Sequence, residues 1–479
     1  MKRTHDAVVI GAGSAGLSFA SGAAQLGLRV ALFEAKEMGG ECLNAGCVPS
    51  KALIRIASAR REALDQAEFG LPLAALGSVD LPSVLSRVRG VIETIAPNDS
   101  EERFRGLGVD LRREHARLAG SGVVEAASGA RLSAPLIVLA TGSRPRVPHI
   151  PGLEEAGYLT NETVFEPRPL PARLAVLGAG PIGMELGQAF ARLGTKVTIL
   201  DAAERPLPKE DEAAAAVVQA SLERDGVRFI LGAKIESVER IPGRAAVIRC
   251  SLGGGAEAVE AEEILVAVGR RAGTEGLGLE AAGVEVEKGF IRTDERLVAA
   301  PGIRAIGDCN GRSLFTHSAG NQASYLVRSA VFRLPGAYDP GAVPRVTYTD
   351  PELAVAGLDE AGAVARGIRA KAIEFSFDEV DRAVAERTRE GFVRVLLDPK
   401  DRILGARVVG PHAGELIGPL LIASRKRLPI GELALQVFPY PTLSEIHKRA
   451  AGAYLAPRLF SPRVRRLLAF AFGYGKGLR

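Results

Sequence analysis

Short apolar runs that stop at a glycine recur along residues 1–339. Val8-Val9-Ile10 stops at Gly11, Leu174-Ala175-Val176-Leu177 at Gly178, Leu136-Ile137-Val138-Leu139-Ala140-Thr141 at Gly142, and Ile264-Leu265-Val266-Ala267-Val268 at Gly269. Runs this short, bounded by turn residues, read as buried strands. Val30-Ala31-Leu32-Phe33 and Val197-Thr198-Ile199-Leu200 end instead in acids, Glu34 and Asp201, and Ile303-Arg304-Ala305-Ile306 leads to Gly307-Asp308. A helical stretch is predicted from about 318 to 332. From about Pro340 the texture changes. Val393-Arg394-Val395-Leu396-Leu397 and Ile403-Leu404-Gly405-Ala406-Arg407-Val408-Val409 read as strands of an antiparallel sheet, with helices near 359–366 and 414–425. Pro145, Pro148, Pro151 and Pro167, Pro169, Pro171 read as linkers. The expected division is a first nucleotide unit at 1–150, a second at 151–271, a return to the first at 272–339, an α+β domain at 340–457 and a tail at 458–479.

The same strand, turn, helix, strand unit occurs twice. Gly11, Gly13 and Gly16 form a G-x-G-x-x-G fingerprint, as do Gly178, Gly180 and Gly183, and 23 positions separate the first glycine from the acid in both copies. Such glycines let the backbone approach a pyrophosphate at a helix N-terminus, and the acid accepts from a ribose hydroxyl. Two fingerprints predict two dinucleotides on one chain. Asp201 favours NAD(H) over NADP(H), because it would repel a 2′-phosphate, although Arg205 is near enough in sequence to soften that choice.

Cys42 and Cys47 follow the first fingerprint in a C-x4-C spacing, within Gly39-Gly40-Glu41-Cys42-Leu43-Asn44-Ala45-Gly46-Cys47-Val48-Pro49-Ser50-Lys51. Thiols so placed either close a small redox-active disulfide or are two buried core thiols near a helix start. A short-loop disulfide gains little from loop entropy, and a cysteine at a helix start beside a cation has a lowered pKa; both favour a redox role.

With 479 residues, 47% hydrophobic and 24% charged, the chain is long enough for several domains. No apolar run approaches the roughly 20 residues of a membrane helix, and a first strand by Ala7 leaves no room for a signal peptide. A cytoplasmic protein is expected. Basic residues exceed acidic ones, 61 to 56, but eight basic and no acidic residues lie in 446–479. The excess therefore belongs to the tail, and a nucleic-acid partner is not expected. That tail sets Val464, Leu467, Leu468 and Ala471 at helical spacing among arginines. It could rest on an anionic membrane; a helix docked on the protein with solvated arginines is the preferred expectation.

In this order, GAGSAG, GGECLNAGCVPSKA, ATGSRP, GAGPIGMELG, AVGRR, AIGDCNG and FPYPTLSE span essentially the whole chain. The chain thereby resembles the class I pyridine nucleotide-disulfide oxidoreductases, the FAD enzymes that include dihydrolipoamide dehydrogenase, glutathione reductase and mercuric reductase. The resemblance implies an α/β protein with two Rossmann-like domains, for FAD and NAD(P), and a C-terminal α+β dimerisation domain in a homodimer. It implies that Gly11, Gly13, Gly16 and Glu34 hold FAD, with Thr141, Gly142 and Asp308 along it and His317 near it through its backbone. It gives the nicotinamide nucleotide to Gly178, Gly180, Gly183, Asp201 and Gly269. Cys47 then is the flavin-side thiol, Cys42 the interchange thiol, and Lys51 and Glu185 an ion pair beside the flavin. No resident metal site is expected.

Two departures matter. Where relatives carry His-Pro-x-x-x-Glu, whose His serves the partner subunit as acid and base, this chain has Tyr440 followed by Glu445. At pH 7 tyrosine is a worse base than histidine by roughly 3.5 pKa units, or about 5 kcal/mol. His447 faces away from Glu445 by about 200° round a helix and reads as a surface or interface residue; His412 reads as a loop residue. Tyr440, Asp381-Arg382-Ala383 and Gly391-Phe392-Val393 resemble the mercuric reductase branch, yet no cysteine follows Cys309 to relay Hg(II). Cys309 and Cys250 read as packed thiols. The expected function is NAD(P)H-dependent reduction of a disulfide, thiol-bound metal or quinone-like acceptor. Alternatives are a dihydrolipoamide dehydrogenase with an altered acid-base residue, and a flavoprotein that senses or docks through its tail.

Overall fold

Ala7–Ile10, Val30–Phe33 and Leu136–Leu139 are adjacent parallel strands in the structure, a computed structural model that describes residues 2–120, 122–240, 243–339, 341 and 343–474. Pro340, at the expected change of texture, and Lys476 and Arg479 of the tail lie outside the described residues. The runs need no alternation because both faces are covered. Ala7 and Val9 pack into one apolar cluster with Phe19 and Leu32, while Val8 and Ile10 pack into another with Phe33, Ile137 and Leu139. The full sheet orders Val298–Ala300, Ile303–Ala305, Leu136–Leu139, Ala7–Ile10, Val30–Phe33 and Asp110–Arg112; only its first pair is antiparallel.

The second fingerprint repeats the arrangement in a four-stranded parallel sheet of Arg228–Leu231, Lys196–Asp201, Arg173–Leu177 and Glu263–Val266. The match reaches single atoms. Gly11 and Gly178 turn with φ of +107° and +112°, and a Cβ on either would meet the carbonyl oxygen of Ala140 or Ala267 at 2.3 and 2.5 Å. Each acid braces its own turn: Glu34 accepts from the Ala12 N–H at 2.7 Å, and Asp201 from the Ala179 N–H at 2.6 Å.

These sheets belong to one compact unit, built on residues up to Pro208 and from Leu222 onward; Lys209–Ser221 and the chain from Gly341 form a second. Lys209–Ser221, within the stretch read as a nucleotide unit, groups with the second unit, where Glu210 pairs with Arg345 and Asp211 with Arg394, both at 2.7 Å. The second unit holds a five-stranded antiparallel sheet in the order Arg345–Thr347, Glu352–Gly357, Ile403–Gly410, Phe392–Leu397, Lys371–Ser376. The helices Ala413–Arg425 and Glu445–Leu459 add Leu416, Leu420 and Ile446 to its core. The tail helix, Pro462–Phe472, forms, but none of its residues is buried, which corrects the expectation of a docked helix. Among the described residues no helix is long and apolar enough to cross a membrane.

The two fingerprints differ in one respect. Gly13 is bridged to Gly39, and a Cβ on Gly40, at φ +62°, would lie 2.7 Å from the Gly13 Cα. Gly180, the equivalent of Gly13, has no atom within 4 Å of an added Cβ. The first turn is thus packed backbone to backbone against the loop that carries the cysteines. Gly40→Ala is expected to destabilise the protein by about 2–4 kcal/mol in urea unfolding, the sum of a left-handed backbone and overpacking. Gly27→Ala, also left-handed but with nothing within 4 Å, should cost only about 1 kcal/mol.

Candidate active site

The cysteine loop is drawn tight by small residues and one side-chain amide. Asn44 Nδ2 donates to the carbonyls of Met38 and Gly40 at 2.9 and 2.8 Å, closing the short helix Gly40–Asn44 that carries Cys42. Gly46 then lets the chain cross itself: a Cβ there would lie 3.0 Å from the Glu41 carbonyl oxygen and 3.3 Å from the Cys42 Cα. The next residue, Cys47, opens the helix Cys47–Leu64, and the two cysteines, both free thiols, hydrogen-bond to each other.

The thiols are electrostatically unequal. Cys47 is pushed down to about 6, first by the hydrogen bond from Cys42, then by the Thr316 hydroxyl, 3.3 Å from its sulfur, and the Lys51 charge, all against burial. A position at a helix N-terminus acts in the same direction. Cys42 moves up, because it is the donor in the shared hydrogen bond and because it is half-buried and partly desolvated. One thiolate and one thiol therefore coexist near neutral pH.

Lys51 sits one turn along the same helix, and its Nζ lies 2.8 Å from Glu185 Oε2. Glu185 is buried on Pro181–Leu193, the helix that opens at the second fingerprint. Near its far end the cysteine helix makes another tie, Arg60 donating to the Arg192 carbonyl at 2.8 Å, while Arg192 pairs with buried Asp225 at 2.7 Å. The helix bearing Cys47 thus spans both nucleotide repeats.

A polar network beside Cys42 was not foreseen. Arg270 donates to Glu41 Oε1 at 2.6 Å, pairs with its other oxygen, and donates from Nε to Ser143 Oγ at 2.8 Å; Ser143 in turn donates to Asp308 at 2.5 Å. Asn161 Nδ2 adds a bond to Glu41 at 2.6 Å. Burial raises both the Glu41 and the Asp308 carboxyls, and Arg270 opposes it in each case. Glu41, Ser143 and Arg270 all lie inside the motifs GGECLN, ATGSRP and AVGRR, but nothing in their spacing says that they meet. Thr316 was missed for the same reason.

FAD and a nicotinamide nucleotide fit the residues present. The helices Ser14–Gln25 and Pro181–Leu193 begin after Gly13 and Gly180 without a side-chain cap, leaving N–H groups for an anion. Gly142, Gly180 and Gly269 leave open space where a Cβ would stand. The second carboxylate oxygens of Glu34 and Asp201 accept from the N–H groups of Lys36 and Ala203, at 2.7 and 2.8 Å, so each acid is oriented before any ribose arrives. Arg205 donates to the Leu207 and Pro208 carbonyls at 3.2 and 2.9 Å. His317 is the second residue of the helix Thr316–Leu326, its exposed ring 5.4 Å from that of Phe315.

In the second unit Tyr440 is 69% exposed and Glu445 begins the helix Glu445–Leu459. His447 is not a surface residue. It is 1% exposed beside Phe438, and burial lowers its pKa to about 4, so it stays neutral near pH 7. It faces the core because the turn that leaves Glu445 at the helix start carries position 447 to the opposite side. His412 is the left-handed residue before the helix Ala413–Arg425. Cys250 and Cys309 are buried, and burial pushes Cys309 up to about 12.

Residues 5–323 match the family model described as pyridine nucleotide-disulphide oxidoreductase, and residues 343–451 match that family's dimerisation domain. A dihydrolipoyl dehydrogenase of Thermus scotoductus is 37% identical, covering 94% of this chain and 97% of that protein. A mercuric reductase of Lysinibacillus sphaericus is 33% identical over 93% of this chain and 82% of its own. Among solved structures, the Cu(II) complex of the HOCl-induced flavoprotein disulfide reductase RclA from Escherichia coli superimposes with a TM-score of 0.82 at 26% identity, over 95% of this chain and 100% of that one. LpdA of Mycobacterium tuberculosis gives 0.84 at 28%, over 94% and 99%.

The unequal thiols give a direct expectation. In the reduced protein, ultraviolet thiolate absorbance should titrate near pH 6, be lost in Cys47→Ser, and shift to higher pH in Thr316→Val and Lys51→Met. A titration unchanged in Cys47→Ser would assign the thiolate elsewhere.

Proposed function

The chain belongs to the pyridine nucleotide-disulphide oxidoreductases, FAD-dependent enzymes with a dimerisation domain, and on that premise we propose that it carries electrons from NADH through Cys47 and Cys42 to a small disulfide, thiol-bound metal or quinone-like acceptor. The observation that carries the proposal is the hydrogen-bonded pair Cys42 and Cys47, with the Cys47 sulfur 3.3 Å from the Thr316 hydroxyl and near the Lys51 charge, on a loop bridged to the first fingerprint through Gly39 and Gly13. Held by Gly11, Gly13, Gly16 and Glu34, with Thr141, Gly142 and Asp308 along it, FAD supplies a two-electron carrier between nicotinamide and sulfur.

The chain's own residues then divide the work. Thr316 and Lys51 hold the Cys47 sulfur as a thiolate. Cys42 loses its proton and attacks one sulfur of a disulfide acceptor, releasing the first thiol, which takes up a proton. The Cys47 thiolate attacks Cys42 of the mixed disulfide, closing Cys42–Cys47 and releasing the second thiol, protonated from solvent. Asp201, with Arg205 engaged on backbone carbonyls, supports NADH over NADPH. Tyr440 and Glu445 of the partner subunit complete the acceptor site in this proposal, in the manner the family resemblance implies.

Tyrosine sets the acceptor preference. A raised Cys42 thiol, with a tyrosine, a poor base at pH 7, where relatives carry histidine, favours acceptors that do not require efficient proton removal; the mercuric-reductase-like reading is preferred, without the C-terminal cysteines that would hand over Hg(II). The identity to a dihydrolipoyl dehydrogenase favours a second reading, a dihydrolipoamide oxidase with a weakened base.

Cys42→Ser is expected to keep NADH-driven bleaching of the yellow protein while turnover with disulfide acceptors falls at least about 100-fold, since no second nucleophile replaces it. Unchanged turnover with every acceptor would reject the disulfide route. Tyr440→His should raise NAD+ reduction by dihydrolipoamide at pH 7 by about 10-fold or more. Wild-type activity already as high as the variant's would favour the second reading. Turnover with disulfides should also climb from pH 7 to 9, following ionisation of Cys42.

A further inference from the structure

The tail helix Pro462–Phe472 is specified by its own signals and not by packing. Ser461 caps it, accepting from the Val464 N–H at 3.3 Å, Pro462 opens it, and Gly473 at φ +71° ends it. The preceding helix is anchored at its end, where Arg458 donates to Asp401 and to the Tyr454 hydroxyl, both at 2.6 Å, and Lys371 donates to the same carboxylate at 2.6 Å. Past this anchor no described residue is fully buried, although Val464 and Ala469 are partly covered. Leu467 is 62% exposed, Phe470 86% and Phe472 67%, and Phe460 before the helix and Tyr474 after it are also exposed.

The exposed side chains are ordered. At about 100° per residue, Val464, Leu467, Leu468 and Ala471 share one side of the helix, with Phe472 at its edge, Arg463, Arg465 and Arg466 around the rest, and Phe470 among the arginines. Six basic residues and no acid lie between Ile446 and Tyr474. A second copy of this helix would set three arginines against three more. An anionic surface would neutralise them, and the boundary between headgroups and acyl chains suits phenylalanine and leucine at once.

We propose that Pro462–Phe472 is an interfacial anchor that lays its apolar side into an anionic lipid bilayer, with its arginines at the headgroups. One such helix binds weakly and reversibly; a dimer presents two, so binding is bivalent and graded by lipid charge and salt. The enzyme is then held at a membrane surface without spanning it.

The chain contains no tryptophan, so Leu467→Trp installs a single reporter on the apolar side in the FAD-loaded enzyme. With vesicles of phosphatidylglycerol and phosphatidylcholine the emission should shift to the blue and the protein should co-sediment. Affinity should fall about 10-fold or more on pure phosphatidylcholine, in high salt, or when Arg463, Arg465 and Arg466 are all changed to Gln, while NADH-dependent turnover is retained. Three results would each overturn the proposal. One is the absence of a shift with anionic vesicles at low salt. The second is emission already blue-shifted in the free dimer, which would mean that a second copy covers the helix. The third is full vesicle binding by a chain ending at Ser461. Loss of turnover in Cys42→Ser bears on the redox route alone and leaves this proposal untouched.

Discussion

The contact between Gly13 and Gly40 is the constraint on which the rest of the first unit depends. Both residues lack a side chain, and a Cβ on Gly40 would lie 2.7 Å from the Gly13 Cα, closer than real Cβ atoms come. The first nucleotide turn and the cysteine loop are therefore one rigid feature. The placement of the sulfurs beside that turn builds on it, through the short helix of Cys42, the crossing at Gly46, and the helix that starts at Cys47. Lys51 and Arg60 then tie that helix to the second repeat, so the cysteines and both fingerprints are joined through one helix.

The inequality of the two thiols has the same origin. Cys47 gains from a helix start, a hydroxyl and an ammonium group, whereas Cys42, half-buried and donating to its neighbour, gains little. Which sulfur is the thiolate is set by position, since the two side chains are chemically identical.

The strands, the doubled fingerprint and the antiparallel second unit were legible in the sequence because each depends on neighbours a few residues apart. The acids at positions 34 and 201 were legible as strand-end acids of the two fingerprints, but their bracing of Ala12 and Ala179 was not, since a backbone N–H leaves no trace in sequence. Thr316, which meets Cys47, and Arg270 and Ser143, which meet at Glu41 and Asp308 beside Cys42, lie far from the cysteine loop in sequence; only folding shows that they converge. His447 was misplaced because a helical wheel says which residues share a side, not which side is inward. The tail helix was misplaced for a similar reason: amphipathic spacing predicts a helix that wants a surface, and the surface was taken to be the protein's own.

On the proposed route, the difference between Gly13, clamped, and Gly180, open, would separate a resident nucleotide from a visiting one. A nucleotide lying over a turn that is locked beneath another loop would leave only when that loop opens, so its lifetime would be tied to local unfolding. One lying over an uncovered turn would depart as fast as its own contacts break. A single duplicated unit would in this way supply both a slow site and a fast one.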